Sequence, residues 1–155
     1  MAERDEPPSE FLKELIADDA RLVSGEHAEE NLLRLIGMMR DEDATNRDWA
    51  TLLLAQQDLD TSDVSDALLG AANDQNEYVR AEAILGLAQR DTDLALPLLR
   101  RELSGEFVPL PLLEAASVAA HPSLAADLQK FTEPSGDEFM DCLAIEALRA
   151  CEAAA

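Results

Sequence analysis

Aromatic side chains make up only 4% of this 155-residue chain, with one Trp, one Tyr and four Phe. A core short of rings must be filled by the abundant Leu and Ala, which favour closely packed helices. Basic residues are also sparse, 12 against 33 acidic ones for a formal net charge of -21. Such a surface repels phosphate backbones and anionic headgroups, so neither nucleic acid nor a membrane is expected as a direct partner. No apolar run approaches the roughly 18 to 20 residues that cross a bilayer. The opening Met-Ala-Glu-Arg-Asp-Glu-Pro-Pro is acidic where a secretion signal is basic and then apolar, so a soluble cytoplasmic protein is expected. The two cysteines, Cys142 and Cys151, lie nine positions apart in one helical stretch. At ~100° per residue they face opposite ways, about 13 Å apart along the axis, and are expected as free thiols.

Catalytic and metal-binding signatures are missing too. His27 and His121 stand alone near helix boundaries, without the spacing of a metal motif or a nucleophile relay, and read as surface or cap residues. No glycine-rich phosphate loop occurs. Asp58-Leu59-Asp60-Thr61-Ser62-Asp63 begins like a calcium loop, but Asp63 and Leu69 stand where such a loop requires Gly and Glu. The Asp-x-Asp recurs as Asp91-Thr92-Asp93, which favours helix capping over metal binding. No cofactor, no metal and no catalytic residue are expected.

What the chain does contain is a self-match at an offset of 33 residues. Asp41, Arg47, Ala50, Leu52, Leu54, Ala55, Gln56, Asp58 and Asp60 reappear as Asp74, Arg80, Ala83, Leu85, Leu87, Ala88, Gln89, Asp91 and Asp93. A period of that size is the mark of stacked repeat units. Each unit alternates apolar helical runs with short polar breaks, giving repeats over residues 27–57, 60–90, 93–120 and 122–151. Residues 1–8 are charged and proline-containing and are expected to be disordered. Ser9 then caps a dissimilar helix bearing Phe11, Leu12, Leu15 and Ile16, so residues 9–24 form a terminal cap for a single domain over 9–155.

The run Asn73-Asp74-Gln75-Asn76-Glu77-Tyr78-Val79-Arg80-Ala81-Glu82-Ala83-Ile84-Leu85-Gly86-Leu87-Ala88 resembles the second half of a HEAT repeat of the phycobilisome-lyase type. Leu94-Ala95-Leu96-Pro97-Leu98-Leu99 is similar to the first helix of that repeat, including its proline Pro97. The resemblance implies an all-α fold, a right-handed α-solenoid (an α-α superhelix) of about four HEAT-like helix pairs behind a capping helix. It also implies that Asp41 with Arg47, and Asp74 with Arg80, tie turn to helix as structural pairs. The first copy departs from the pattern with Asn46 in place of Val, and the third with Leu112 in place of Arg.

In such stacks the second helices line a concave face. The register then projects Trp49, Tyr78, Glu82, Gln89 and Glu114 from it, with Gln56 equivalent to Gln89, Thr45 and Leu110 to Tyr78, and His121, Phe139 and Leu143 extending the series. The sole Trp and sole Tyr fall on this stripe, and both are residue types enriched in binding hot spots. Trp49 is balanced between this role and filling the seam between repeats, whereas Phe139 is expected in the core. The implied function is non-catalytic: an adaptor, regulator or inhibitor that binds another protein, expected as a monomer. No Lys or Arg lies between Arg47 and Arg80, and this acidic interval either attracts a basic partner or mimics a polyanion, or else serves solubility or adaptation to a salty cytoplasm. An immunity protein against a basic toxin is one version of this function. A role beside an enzyme, as in the bilin lyases and chaperones of phycobiliproteins, is the alternative, and the charge opposes a DNA-glycosylase role.

Overall fold

The computed structural model describes residues 4–18 and 20–155. Among the described residues the regular structure is helical throughout: α1 (Glu10–Ile16), α2 (Ala28–Met38), α3 (Ala44–Ala55), α4 (Ser62–Ala71), α5 (Glu77–Arg90), α6 (Thr92–Leu103), α7 (Leu110–Ala119), α8 (Ala125–Leu128) and α9 (Glu138–Ala153). Helices α3, α5, α7 and α9 pack side by side in chain order as an inner layer, and α2, α4, α6 and α8 each pair with the inner helix that follows. The result is a helical repeat solenoid. Leu35, Leu54, Leu68, Ile84, Leu99 and Leu112 are fully buried along its length, so one aliphatic core runs through the stack.

Polar turns start three of the four inner helices, α7 following Pro109 instead. Asp43, Asn76 and Asp137 cap α3, α5 and α9, each side chain accepting from two backbone N–H groups that lack a partner within the helix. Asp91 caps α6 through the N–H groups of Asp93 and Leu94. The equivalent Asp58 does not cap α4. There Thr61 accepts from Val64 N–H, so the two Asp-x-Asp turns are not used alike.

The repeated Asp and Arg form a ladder between repeats as well as within them. Arg47 Nε and Nη2 donate to the two carboxylate oxygens of Asp74, in the next repeat, at 2.9 and 3.2 Å. Its Nη1 donates to the backbone carbonyl of Asp41 at 3.1 Å. Arg80 donates in the same way to the Asp74 carbonyl at 2.9 Å. The tie from turn to helix therefore runs through the Asp carbonyl, while the carboxylate serves the preceding arginine. One offset beyond Asp74 stands Phe107, and the second rung closes instead on Glu102, at the end of α6, at 3.1 and 3.2 Å. Asn46, which breaks the repeat pattern, has its own task. Its amide oxygen accepts from Ser9 N–H at 3.1 Å and its amide nitrogen donates to Asp41, tethering the start of α1 to the stack.

The sequence did not single out Arg90, which clamps adjacent repeats. Its guanidinium donates to the carbonyls of Leu54, Ala55, Gln57 and Leu59 from the preceding repeat and of Gly86 in its own helix. These are carbonyls at or beside helix ends, which a half-buried cation satisfies well. Close approach at this point also needs glycine, because a Cβ on Gly86 would lie 2.8 Å from the Ala55 Cβ.

Three features differ from the sequence-based expectation. The outer element of the last pair is not one helix. Short 3-10 turns at Pro122–Leu124 and Gln129–Thr132 flank the four-residue α8. Pro134 drives Glu133 into extended backbone (φ -74°, ψ 144°), which stops the run there. Phe139 is 53% exposed rather than in the core, since it sits in the first turn of α9, the last inner helix of the described chain. Residues 4–8 do not simply trail into solvent: Arg4 and the Asp5 carbonyl contact α3 and α5, and Pro7 is buried, while the side chains of Glu6 and Pro8 are exposed. Residues 1–3, the rest of that expected disordered stretch, fall outside the described residues.

Candidate functional site

The register brings part of the proposed stripe together. Trp49 on α3 and Glu82 on α5 occupy equivalent positions 33 residues apart, and Glu114 on α7 continues the row. Glu82 is only 2% exposed, so it does not project into solvent as a peripheral charge. A carboxylate in that position needs a cation. Arg4 supplies it: Nη2 donates to Glu82 Oε1, and Nη1 lies 3.0 Å from Asp48 Oδ2. The same guanidinium lies over the indole of Trp49, 5.3 Å from the ring centroid. Trp49 Nε1 in turn donates to the backbone carbonyl of Asp5 at 2.6 Å. One short non-helical segment thus contacts two carboxylates, an aromatic face and an indole N–H.

Electrostatics follow from this crowding. Burial pushes the Glu82 carboxyl above the ordinary carboxylate range; the Arg4 hydrogen bond and charge oppose the shift, while Asp48 and Glu114 add to it. Asp48 is raised for the same first reason, burial, and again Arg4 opposes it. The contact with Arg4 uses one oxygen of Asp48. Asp48 Oδ1 is buried without a hydrogen-bond partner, and Arg4 Nη1 meets Oδ2 only as an ion pair.

The other stripe residues lie elsewhere. Tyr78, 49% exposed at the start of α5, meets Phe107, 57% exposed, edge to face with centroids 6.2 Å apart. Gln56 and Gln89 are exposed at the far end of α3 and α5, where they line a shallow hollow of about 320 Å³ with Asp58, Asp60 and Arg90. His121 caps the 3-10 turn after α7 through Nδ1, and Pro97 is exposed within α6. A larger hollow, about 790 Å³, is on the opposite layer between α2 and α4. It has no buried charge awaiting a partner, and the Arg47–Asp74 pair among its lining residues is already satisfied. Size alone therefore does not make it the functional site.

Sequence reasoning missed Arg4, Asp5 and Asp48. Asp48 shares the basic-free interval with Trp49, which is a signal in hindsight. Arg4 carries little signal beyond being the first basic residue, because its contact with Glu82 spans 78 positions.

Residues 32–106 match the family model for HEAT repeats. The chain is 30% identical over 115 residues to the protein YibA of Escherichia coli strain K12, and equally to that of strain O157:H7. That match covers 74% of this chain and 41% of the relative, so the chain spans about two fifths of the length of the curated relatives it matches. The X-ray structure of the Escherichia coli YibA protein superposes with a TM-score of 0.60 at 30% identity, covering 76% of this chain and 43% of that one.

Proposed function

Given that residues 32–106 of this chain belong to the HEAT repeats, we propose that it is a non-catalytic interaction module that binds a partner protein on the exposed face of its inner helices. The observation that carries this reading is Glu82. Ala50 and Ala83 already fill the contacts between these two helices, so a stack that only needed to hold itself together would leave the neighbouring open-face positions in water. Instead the position holds a buried carboxylate, beside an aromatic face and a second carboxylate, which costs stability unless a cation covers it. The net charge of -21 favours a basic partner, since complementary fields speed encounter. An adaptor, a regulator and an inhibitor of a basic enzyme all fit this surface.

The test is capture of the partner from native lysate by the intact chain, repeated with Trp49→Ala and Tyr78→Ala. A hot spot should lose about 2 kcal/mol, a fall of roughly 30-fold in affinity. Thermal melts run alongside separate lost binding from lost fold. Unchanged binding by both folded variants would refute the assignment of this face.

A further inference from the structure

We infer that the pocket formed by Trp49, Asp48 and Glu82 is a receptor for an arginine side chain on an extended segment, and that Arg4 fills it in cis until a partner's arginine takes its place. The inference rests on the protein-binding reading above and names the chemistry of the partner.

Each wall of the pocket matches a different property of arginine. The planar guanidinium lies over the Trp49 ring, 5.3 Å from its centroid, as a delocalised cation does on an electron-rich face. Two carboxylates from neighbouring repeats meet its nitrogens, Glu82 through Nη2 and Asp48 facing Nη1 at 3.0 Å. The backbone beside the arginine is read as well, because Trp49 Nε1 donates to the Asp5 carbonyl at 2.6 Å. A main-chain contact of this kind accepts any residue type at that position, so the site reads an arginine followed by a peptide carbonyl.

Arg4 is a replaceable occupant rather than a permanent strut. Its Nη1 pairs with only one oxygen of Asp48, Oδ2 at 3.0 Å, and Asp48 Oδ1 is buried without a partner, so the pocket has acceptor capacity that the cis arginine leaves unused. A guanidinium free to enter at its own angle can engage Asp48 in a two-pronged pair, the stronger arrangement for arginine and carboxylate. The chain leading to Arg4 is also held at its other end, independently of the pocket, where Ser9 N–H donates to Asn46 Oδ1 and Pro7 is buried. A segment tethered a few residues from its pocket acts at an effective concentration of roughly millimolar. It shields the buried carboxylates until a partner competes successfully.

Trp49 is the only tryptophan, so its fluorescence reports this pocket alone. The probe is an acetylated and amidated Arg-Asp-Glu-Pro-Pro-Ser peptide, titrated into the full chain carrying Arg4→Ala and into the unsubstituted chain. The Arg4→Ala chain should bind it at least 10-fold more tightly, and the same peptide with Ala in place of Arg should bind neither. Adding Glu82→Gln should abolish the response. Equal binding to both chains, equal binding of both peptides, or no binding to a folded Arg4→Ala chain would each overturn the inference. If Arg4→Ala does not fold, the Trp49 Nε1–H resonance of the unsubstituted chain decides the matter: it must move with saturating Arg peptide and not with the Ala peptide, and a resonance that stays put is equally fatal. The two readings fail separately. Loss of native partner binding in Trp49→Ala without any arginine-peptide binding sinks only the arginine assignment, whereas peptide binding with partner capture indifferent to Trp49→Ala and Tyr78→Ala sinks the partner-face reading.

Discussion

Gly86→Ala sets two quantifiable effects against each other. In an exposed helix interior the substitution stabilises by about 0.5–1 kcal/mol, because alanine loses less backbone freedom on folding. At this position the new methyl would lie 2.8 Å from Ala55 Cβ, 3.3 Å from Ala55 Cα and 3.2 Å from Leu68 Cδ1. Carbon atoms pack best at about 3.5–4.0 Å, so the overlap with Ala55 Cβ is about 1 Å. The Leu68 methyl can rotate away, but Ala55 Cβ is fixed to its backbone and moves only if α3 and α5 separate. Separation also stretches Arg90, whose Nη1 bridges the Ala55 and Gly86 carbonyls at 3.1 and 2.8 Å. Overpacking of this kind costs about 1–3 kcal/mol, which exceeds the helix-propensity gain. The expected net loss is about 1–2 kcal/mol, read as a fall in Tm of roughly 3–6 °C for a domain of this size. The diagnostic experiment is the double-mutant cycle with Ala55→Gly. With Ala55 Cβ gone, Gly86→Ala should turn stabilising, giving a coupling of about 1.5–3 kcal/mol between the two sites. A rise in Tm from Gly86→Ala in the unsubstituted chain would refute the close-approach argument.

Three further outcomes are expected. Arg47→Ala leaves the mostly buried Asp74 carboxylate without its two-pronged partner and should cost about 2–4 kcal/mol in urea unfolding, with Arg47→Lys recovering only part; a loss within about 0.5 kcal/mol would reduce the ladder to ornament. Glu82 and Asp48 have folded pKa values raised first by burial and held down by Arg4, so the folded state keeps protons that the unfolded chain has released. Stability from these groups is full below the ordinary carboxylate range and is lost as pH rises to the raised folded values. Glu82→Gln should flatten this slope across that window, and an unchanged slope would count against the buried carboxylate. Cys142 is exposed while Cys151 is buried with its thiol pushed up by burial, so a thiol reagent should label one site at once and the second only on unfolding; rapid labelling of both would contradict the packing of α9.

The 33-residue period by itself determined the helix-pair architecture and the positions of the ladder residues, because both arise from local spacing repeated along the chain. Asp74 and Arg80 recur with Asp41 and Arg47, and a repeat that stacks on itself must place equivalent residues at equivalent heights. The same register put Trp49, Glu82 and Glu114 in one row. Tertiary structure decided what that row does. Glu82 belongs to the exposed face of its helix by periodicity, yet it is buried because a segment from 78 positions away crosses it. Nothing in the spacing of Arg4, Asp5 and Pro7 encodes that crossing, since they lie outside the repeat and their contacts exist only once α3 and α5 stand side by side. Arg90 was hidden for the same reason: its partners are main-chain carbonyls, which every sequence contains, and only the meeting of two helix ends selects them. Phe139 erred in the other direction, since an apolar residue in helical register is buried only if a neighbour covers its turn, and among the described residues none does.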